Sequence, residues 1–293
     1  MPHLASNLAD SGAMICATAM PELPEVETLA ADLRPLLTDR VIVSCELRCP
    51  SLVRYPDPAR FAAIVEGSRI QGVDRRGKYL LIRLEGGDLL VVHLGMTGHL
   101  RVVDAGQPEP PHLHAVFPLD DGRLLRYDDV RRFGRLLAGS EAELLGSRSL
   151  PNLGPEPIDP HFTAADLYRR IHRSRAPVKA LLLDQTVVAG VGNIYADEAC
   201  FRARVRPDRR GETLSRRAVG RLRAALEESL GEAIRNRGST IDDYRDAWGE
   251  FGGQQERLLV YGHAGEPCPR CGAPLRSARI GGRTTVFCRR CQR

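Results

Sequence analysis

The sequence predicts an α+β chain with an N-terminal β-sandwich carrying flanking helices, a helical segment after it, and a zinc ribbon at the C-terminal end. Three observations predict this. Seven short β-like runs fall at 41–48, 69–75, 79–84, 89–94, 99–103, 113–119 and 123–127, divided by turn signals such as Gly86-Gly87 and Asp120-Asp121-Gly122; that spacing suits a sandwich. Apolar residues recur at helical spacing over 163–174, 177–184, 193–203 and 215–237. Finally, Cys268-Pro269-Arg270-Cys271 and Cys288-Arg289-Arg290-Cys291 form two C-x2-C pairs separated by sixteen residues. Each pair offers two thiolates on one knuckle, and four sulfurs complete a tetrahedral zinc shell with no open position, so the metal is expected to be structural.

At 293 residues and 32.3 kDa the chain can bury a core and is long enough for two domains. A net charge of +5 and a pI near 8.9 allow a nucleic-acid partner without requiring one. Of the 42 basic residues only Lys78 and Lys179 are lysine, and an ammonium, unlike a guanidinium, can give up its proton. No run reaches the length of a membrane span. Ala17-Thr18-Ala19 has the look of a signal cleavage site, but no basic region precedes it and polar residues interrupt the apolar stretch, so no signal peptide is expected. Four of the eight cysteines are scattered and four clustered, which suits a reduced, cytoplasmic compartment and a metal site better than a disulfide framework.

In chain order, Pro21 and Glu22 come first. Inside a chain the nitrogen of Pro21 is an inert amide; at a chain start it is a secondary amine, partly unprotonated near neutrality since α-amino groups titrate at about 7.7–8.0, and able to form an iminium with an electrophilic carbon. The periodic residues of 24–37 then predict a helix that would hold this amine. Lys78 sits at a strand-to-strand turn in Arg75-Arg76-Gly77-Lys78-Tyr79. His93 and Met96 fall in a glycine-flanked loop, and Arg131 and Phe133 share another, of a kind that can wedge between stacked bases. Four prolines within 151–160 predict a linker. Gly190 and Gly192 permit a tight turn whose following helix, opened by Asn193, aims its amides at an anion such as phosphate. Between the cysteine pairs, Arg279 and Arg283 are expected to point away from the metal.

PELPEVET after Met20, RRGKYL around Lys78, GVGNIYADE from Gly190 to Glu198 and the cysteine ribbon closely resemble the formamidopyrimidine-DNA glycosylases, bifunctional enzymes that excise oxidised purines and cut the strand. The resemblance runs from Met20 to Arg293. It implies an N-terminal extension over 1–19, a catalytic β-sandwich domain over 20–150, a helix–two-turns–helix DNA-binding domain over 151–253 and a zinc ribbon over 254–293. It further implies that Pro21 attacks C1′ of the damaged nucleoside and Glu22 handles protons at the sugar. Lys78 and Arg283 take the parts of phosphate-contacting groups in β- and δ-elimination. His93, Lys179 and Asn193 match contacts to the DNA backbone, while His112 and Arg131 match further DNA-contacting positions. Met96, Arg131 and Phe133 match the trio that fills the gap left by an extruded nucleotide. The implied partner is double-stranded damaged DNA, bound by a monomer with one zinc.

Two departures qualify the match. The stretch from Ala247 to Gly253 is unusual for a loop that closes over a base, and residues 1–19 must be absent for Pro21 to be an amine. An endonuclease VIII-like glycosylase for oxidised pyrimidines is the nearest alternative, and a non-catalytic zinc-ribbon protein that binds damaged DNA is the alternative if residues 1–19 stay.

Overall fold

A computed structural model of the chain describes residues 20–240 and 244–293; the expected extension over 1–19 lies outside them. The first helix, α1 (Leu23–Leu37), starts where Glu22 and Glu25 form a reciprocal capping box, with a proline in the first turn. Then follow β1 (Glu46–Leu47), β2 (Val53–Tyr55), α2 (Pro58–Val65), β3 (Ile70–Arg76), β4 (Tyr79–Leu84), β5 (Asp88–His93), β6 (Gly98–Asp104), β7 (Leu113–Pro118), β8 (Arg123–Asp129), β9 (Arg135–Ser140) and α3 (Glu141–Gly146). Two sheets result, ordered β1-β7-β8-β6 and β2-β9-β5-β4-β3. Alternate residues of both, among them Leu80, Ile82, Leu84 and Leu90 from one and Leu100, Phe117 and Leu125 from the other, meet α1 in one buried core.

No regular element occupies 151–163. Beyond it, α4 (Ala164–Ile171), α5 (Val178–Leu183), α6 (Asn193–Arg202) and α7 (Arg216–Arg235) build a second core. Leu23 belongs to that second core, whereas Val26, Leu29 and Leu33 of the same helix belong to the sandwich. One helix therefore ties both lobes together, and its first turn lies at their junction. The chain ends in a hairpin of β10 (Arg276–Ile280) and β11 (Arg283–Phe287) joined by Gly281-Gly282, both at positive φ, as a two-residue hairpin turn demands. Among the described residues, no helix is long and apolar enough to cross a membrane.

The expected strands and helices all have counterparts, except that 41–48 contributes only isolated bridges at Val41 and Ile42 and the two-residue β1. Unforeseen are β2, α2, β9 and α3. Of these β2 is too short to show periodicity and exists through parallel pairing with β9, Val53 opposite Leu136.

Candidate active site

Glu22 caps α1, yet its carboxylate serves a second helix. The N–H groups of Gly192 and Ile194 donate to it at 2.6 and 2.8 Å, so the opening turn of α6 holds an anion, as helix N-termini do. The turn before α6 is shaped for this contact. Gln185 accepts from the Gly190 amide at 2.8 Å and donates to the Val191 carbonyl at 2.8 Å, stapling the turn from inside. Gly190 sits at φ +86, where a Cβ would lie 2.6 Å from Leu23 Cβ. A Cβ on Gly192 would lie 2.4 Å from the Glu22 carboxyl carbon and 2.6 Å from Lys78 Nζ. Both positions exclude a side chain. Gly192→Ala is accordingly expected to lower stability by about 1–3 kcal/mol and to dislodge Glu22 and Lys78 together; an unchanged melting temperature would show that the turn yields freely.

Burial pushes the Glu22 pKa up to about 7, against the opposing pull of the Lys78 ammonium. Burial likewise lowers the Lys78 pKa, with Glu22 and Glu25 resisting and Arg283 assisting. Lys78 owes its position to the turn between β3 and β4. Glu156, from the segment linking the lobes, accepts from the Gly77 amide at 2.6 Å and from both Arg75 terminal nitrogens at 2.7 and 2.9 Å, while Arg75 also reaches Glu27 on α1 at 2.8 Å.

A cavity of about 730 Å³ brings together Met20, Glu22, Lys78, His93, Met96, Asn193 and Arg283. Pro21 is buried directly beside Glu22. Asn193 Oδ1 is buried without a hydrogen-bond partner among the described residues, a polar atom facing a site that a ligand could complete. His93 Nδ1 accepts from the Gly95 amide at 3.2 Å, which leaves the ring proton on Nε2; burial lowers its pKa to about 4, so at neutral pH it is an uncharged donor. Arg283 is exposed at the hairpin tip, and a Cβ on Gly281 would lie 3.2 Å from Ala180 Cβ on α5.

His112, Arg131 and Phe133 stand outside the cavity wall, all exposed. The loop that carries Arg131 and Phe133 is fixed, and tied to the segment of His112, by Asp129, fully buried. Its carboxylate accepts from Thr97 Oγ1 at 2.5 Å and from the Gly134 amide at 2.8 Å, and its amide donates to the His112 carbonyl at 3.1 Å. The Arg131 guanidinium lies 4.7 Å from the centre of the Phe133 ring. Gly95 allows the Met96 loop to approach, since a Cβ there would come within 2.6 Å of Gly134 N.

Lys179 corrects an expectation. Its side chain has no exposed surface, pairs with Asp197 at 2.7 Å and donates to Thr285 Oγ1 at 2.7 Å and the Thr284 carbonyl at 3.0 Å. A buried, fully engaged ammonium offers nothing to a backbone phosphate. Instead it locks α5, α6 and β11 together, and Asp197 completes the lock by accepting from the Val286 amide at 2.9 Å.

Glu25 supports the site from behind and is not among the residues that the sequence motifs bring forward. Fully interior, it accepts from Tyr195 Oη and the Ser239 amide, both at 2.7 Å, and from the Glu22 amide at 2.9 Å. Burial raises its pKa. The E-x-x-E spacing of a capping box is the available signal. Trp248 and Phe251, 60% and 63% exposed, stand in the loop whose sequence is unusual.

Cysteines 268, 271, 288 and 291 bring their sulfurs within 4.8 Å of one another. Two of the separations are 3.9 Å for Cys268–Cys291 and 3.6 Å for Cys271–Cys288. Zn–S bonds of about 2.3 Å in a tetrahedron require edges of roughly 3.8 Å, so the residues fit the metal. The chain binds one structural zinc. Because such a metal contributes folding free energy directly, Cys271→Ser is expected to lose the zinc and unfold the ribbon, seen as missing metal on elemental analysis and as faster proteolysis within 254–293.

Family models match three stretches: formamidopyrimidine-DNA glycosylase N-terminal domain over 20–136, formamidopyrimidine-DNA glycosylase H2TH domain over 153–245, and zinc finger found in FPG and IleRS over 265–293. Formamidopyrimidine-DNA glycosylase of Moorella thermoacetica is 49% identical, covering 89% of this chain and 95% of the relative. The Geobacillus kaustophilus enzyme of the same name is 45% identical over 94% of this chain and 100% of its own length. Among solved structures, MutM (FPG) from Thermus thermophilus superposes with a TM-score of 0.84 at 46% identity, covering 93% of this chain and 98% of that one. Lactococcus lactis Fpg in complex with DNA containing an abasic site gives 0.85 at 34% identity, covering 93% and 99%.

Proposed function

The chain belongs to the formamidopyrimidine-DNA glycosylase family, DNA-repair glycosylases and abasic-site lyases acting on damaged DNA, and on that premise we propose how its residues divide the work. Duplex DNA carrying an oxidised purine, such as 8-oxoguanine or a formamidopyrimidine, docks across the junction of the lobes. The damaged nucleotide turns out of the stack, because a glycosidic bond inside the duplex cannot be reached. Met96, Arg131 and Phe133 fill the space it leaves. The neutral secondary amine of Pro21 attacks C1′, the bond from C1′ to the base breaks and the base leaves with the proton the amine gives up; Glu22, protonated, delivers its own proton to O4′ as the C1′–O4′ bond opens, leaving the iminium. The iminium acidifies the C2′ hydrogens, so elimination follows on one side and then on the other, with Lys78 and Arg283 at the phosphates. Zinc holds the hairpin that carries Arg283 and takes no part in the chemistry. The division of the chain at 150 and 253 belongs to the same reading.

One observation carries this proposal: a carboxyl with a pKa near 7, gripped by the amides of α6, shares a cavity with Lys78, Asn193 and Arg283. Borohydride added during turnover on an oxidised duplex tests it. The expected result is a covalent protein–DNA adduct at Pro21; an adduct mapping to another amine would overturn the assignment. With Lys179 removed from the phosphate contacts, roughly four to five phosphates remain for Lys78, Arg131, Arg279 and Arg283 and their neighbours, so log K should fall against log salt with a slope of about −4. A nearly flat salt titration would contradict a groove that grips the backbone.

A further inference from the structure

A second cavity, of about 480 Å³, is lined by six arginines, Arg204, Arg209, Arg221, Arg270, Arg290 and Arg293, together with Cys291. It shares no lining residue with the catalytic cavity. The two lie at opposite ends of the ribbon: Arg283 is at the hairpin turn, the cysteine knuckles at the open end, and five-residue strands separate them by about 17 Å.

Three of the six side chains are fixed in place. Arg209 donates to the Thr213 carbonyl at 2.6 Å and to the main-chain oxygen of Arg293, the last residue, at 3.3 Å. Arg221, on α7, donates from Nε to the Ala203 carbonyl at 2.9 Å. Arg270 donates to the Phe201 carbonyl at 3.1 Å and lies 4.6 Å from the centre of the Phe201 ring. Each guanidinium has five N–H donors, so these anchors leave others directed elsewhere. The neighbouring acids are engaged by arginines outside the six: Asp208 by Arg206, Glu228 and Glu232 by Arg202. Among the described residues, no aspartate or glutamate side chain lines the cavity beside the six arginines.

The bland explanation is that they neutralise the metal centre. Four thiolates around a divalent zinc leave a net charge of −2, and six guanidiniums exceed it by four. A surplus of that size, gathered at one largely exposed cleft from the end of α6, the following loop, α7 and both knuckles, suits a compact multivalent anion. We infer that this cavity is a second binding site, distinct from the catalytic groove, for a phosphate-bearing ligand. Guanidinium forks match phosphate oxygens bidentately. Phosphates, at about −1.5 to −2 charge for a terminal group, concentrate charge within such a volume as carboxylates strung along a peptide do not. The phosphates come either from a free polyphosphate or nucleotide, or from a nucleic-acid strand outside the catalytic groove.

The test uses the full zinc-loaded protein with its catalytic groove filled by a short duplex bearing an uncleavable abasic-site analogue. Titration with inorganic tripolyphosphate should show one site, weakened at least about tenfold by Arg204→Gln combined with Arg221→Gln and unaltered by Arg283→Ala. Zinc content and melting temperature must match the parent. Should the double variant fail that check, Arg290→Gln, on the second knuckle, replaces it with the same expectation. A single-stranded oligonucleotide that displaces tripolyphosphate identifies a nucleic-acid source; one that does not compete leaves the free anion. Absence of binding, binding indifferent to these arginines, or binding of a glutamate-rich peptide in place of tripolyphosphate would each overturn the inference.

Discussion

A polypeptide that keeps residues 1–19 is expected neither to excise oxidised purines nor to be trapped on DNA by borohydride, whereas one beginning at Pro21 does both. The reason is the nitrogen. Joined to Met20, it is a tertiary amide whose lone pair is delocalised into the carbonyl and whose substituents leave no hydrogen to lose, so it cannot close on C1′ to an iminium. Geometry adds a second obstacle, because Met20 itself lines the cavity alongside Glu22, Lys78 and Asn193, in the space a sugar must enter. Removing Met20 and everything before it both creates the amine and clears that space. The comparison needs two preparations whose mass confirms their first residue, assayed on one oxidised duplex. Equal trapping by the long form, with the adduct on a lysine, would remove Pro21 from the mechanism and favour a different nucleophile.

The order of elements is legible in the sequence because each sheet face and each helix stripe carries its own period. Leu80, Ile82 and Leu84 alternate along β4, and Val219, Leu222, Leu226 and Leu230 recur along α7. The cysteine ribbon is legible from spacing. What escapes depends on partners distant in sequence. β2 is defined by β9 more than eighty residues later, although α2 has a local signal in Asp57 and Pro58, whose carboxylate and fixed φ cap the helix. In the site, Gly190 and Gly192 announce a close approach, but not that the approaching groups are Leu23, Glu22 and Lys78. Lys179 misleads for the same reason: its rarity among forty arginines makes it conspicuous, while the partner that neutralises it, Asp197, is visible only once α5 and α6 pack. The anchoring roles of Asp129 and Glu198 are equally hidden. Glu198 accepts from the amides of Leu259, Val260 and Tyr261, fastening the segment that leads into the ribbon, and no local pattern marks a carboxylate for that duty.

Glu22→Gln is expected to reduce base excision by about two to four orders of magnitude, the range spanned by positioned acid–base groups, while cleavage of a preformed abasic site survives better, since its aldehyde is already open to the amine. Protonation explains the asymmetry. Burial holds the Glu22 pKa at about 7, close to the roughly 7.7–8.0 of an α-amino group. With about one unit between them, the arrangement with neutral amine and protonated carboxyl holds about a tenth of the singly protonated pair before their mutual attraction is counted, and the two titrate together. Excision should therefore rise as the amine loses its proton and fall again as the carboxyl does, giving a bell centred between about pH 7 and 8. The glutamine variant has no carboxyl to lose, so its residual excision should rise with pH and stay level. Stability supplies an independent check on the sign. A glutamate whose folded pKa lies above its ordinary 4.5 makes the folded state bind more protons, so stability falls as pH climbs from about 4.5 to 7. Glu22→Gln removes that loss, worth about 3 kcal/mol at full extent less the hydrogen bonds the amide cannot reproduce to Gly192 and Ile194. Melting temperatures of the two proteins should then converge on acidification. A parent enzyme with excision still rising above pH 9, or a variant with the same alkaline decline, would sink the assignment of Glu22 as the proton donor.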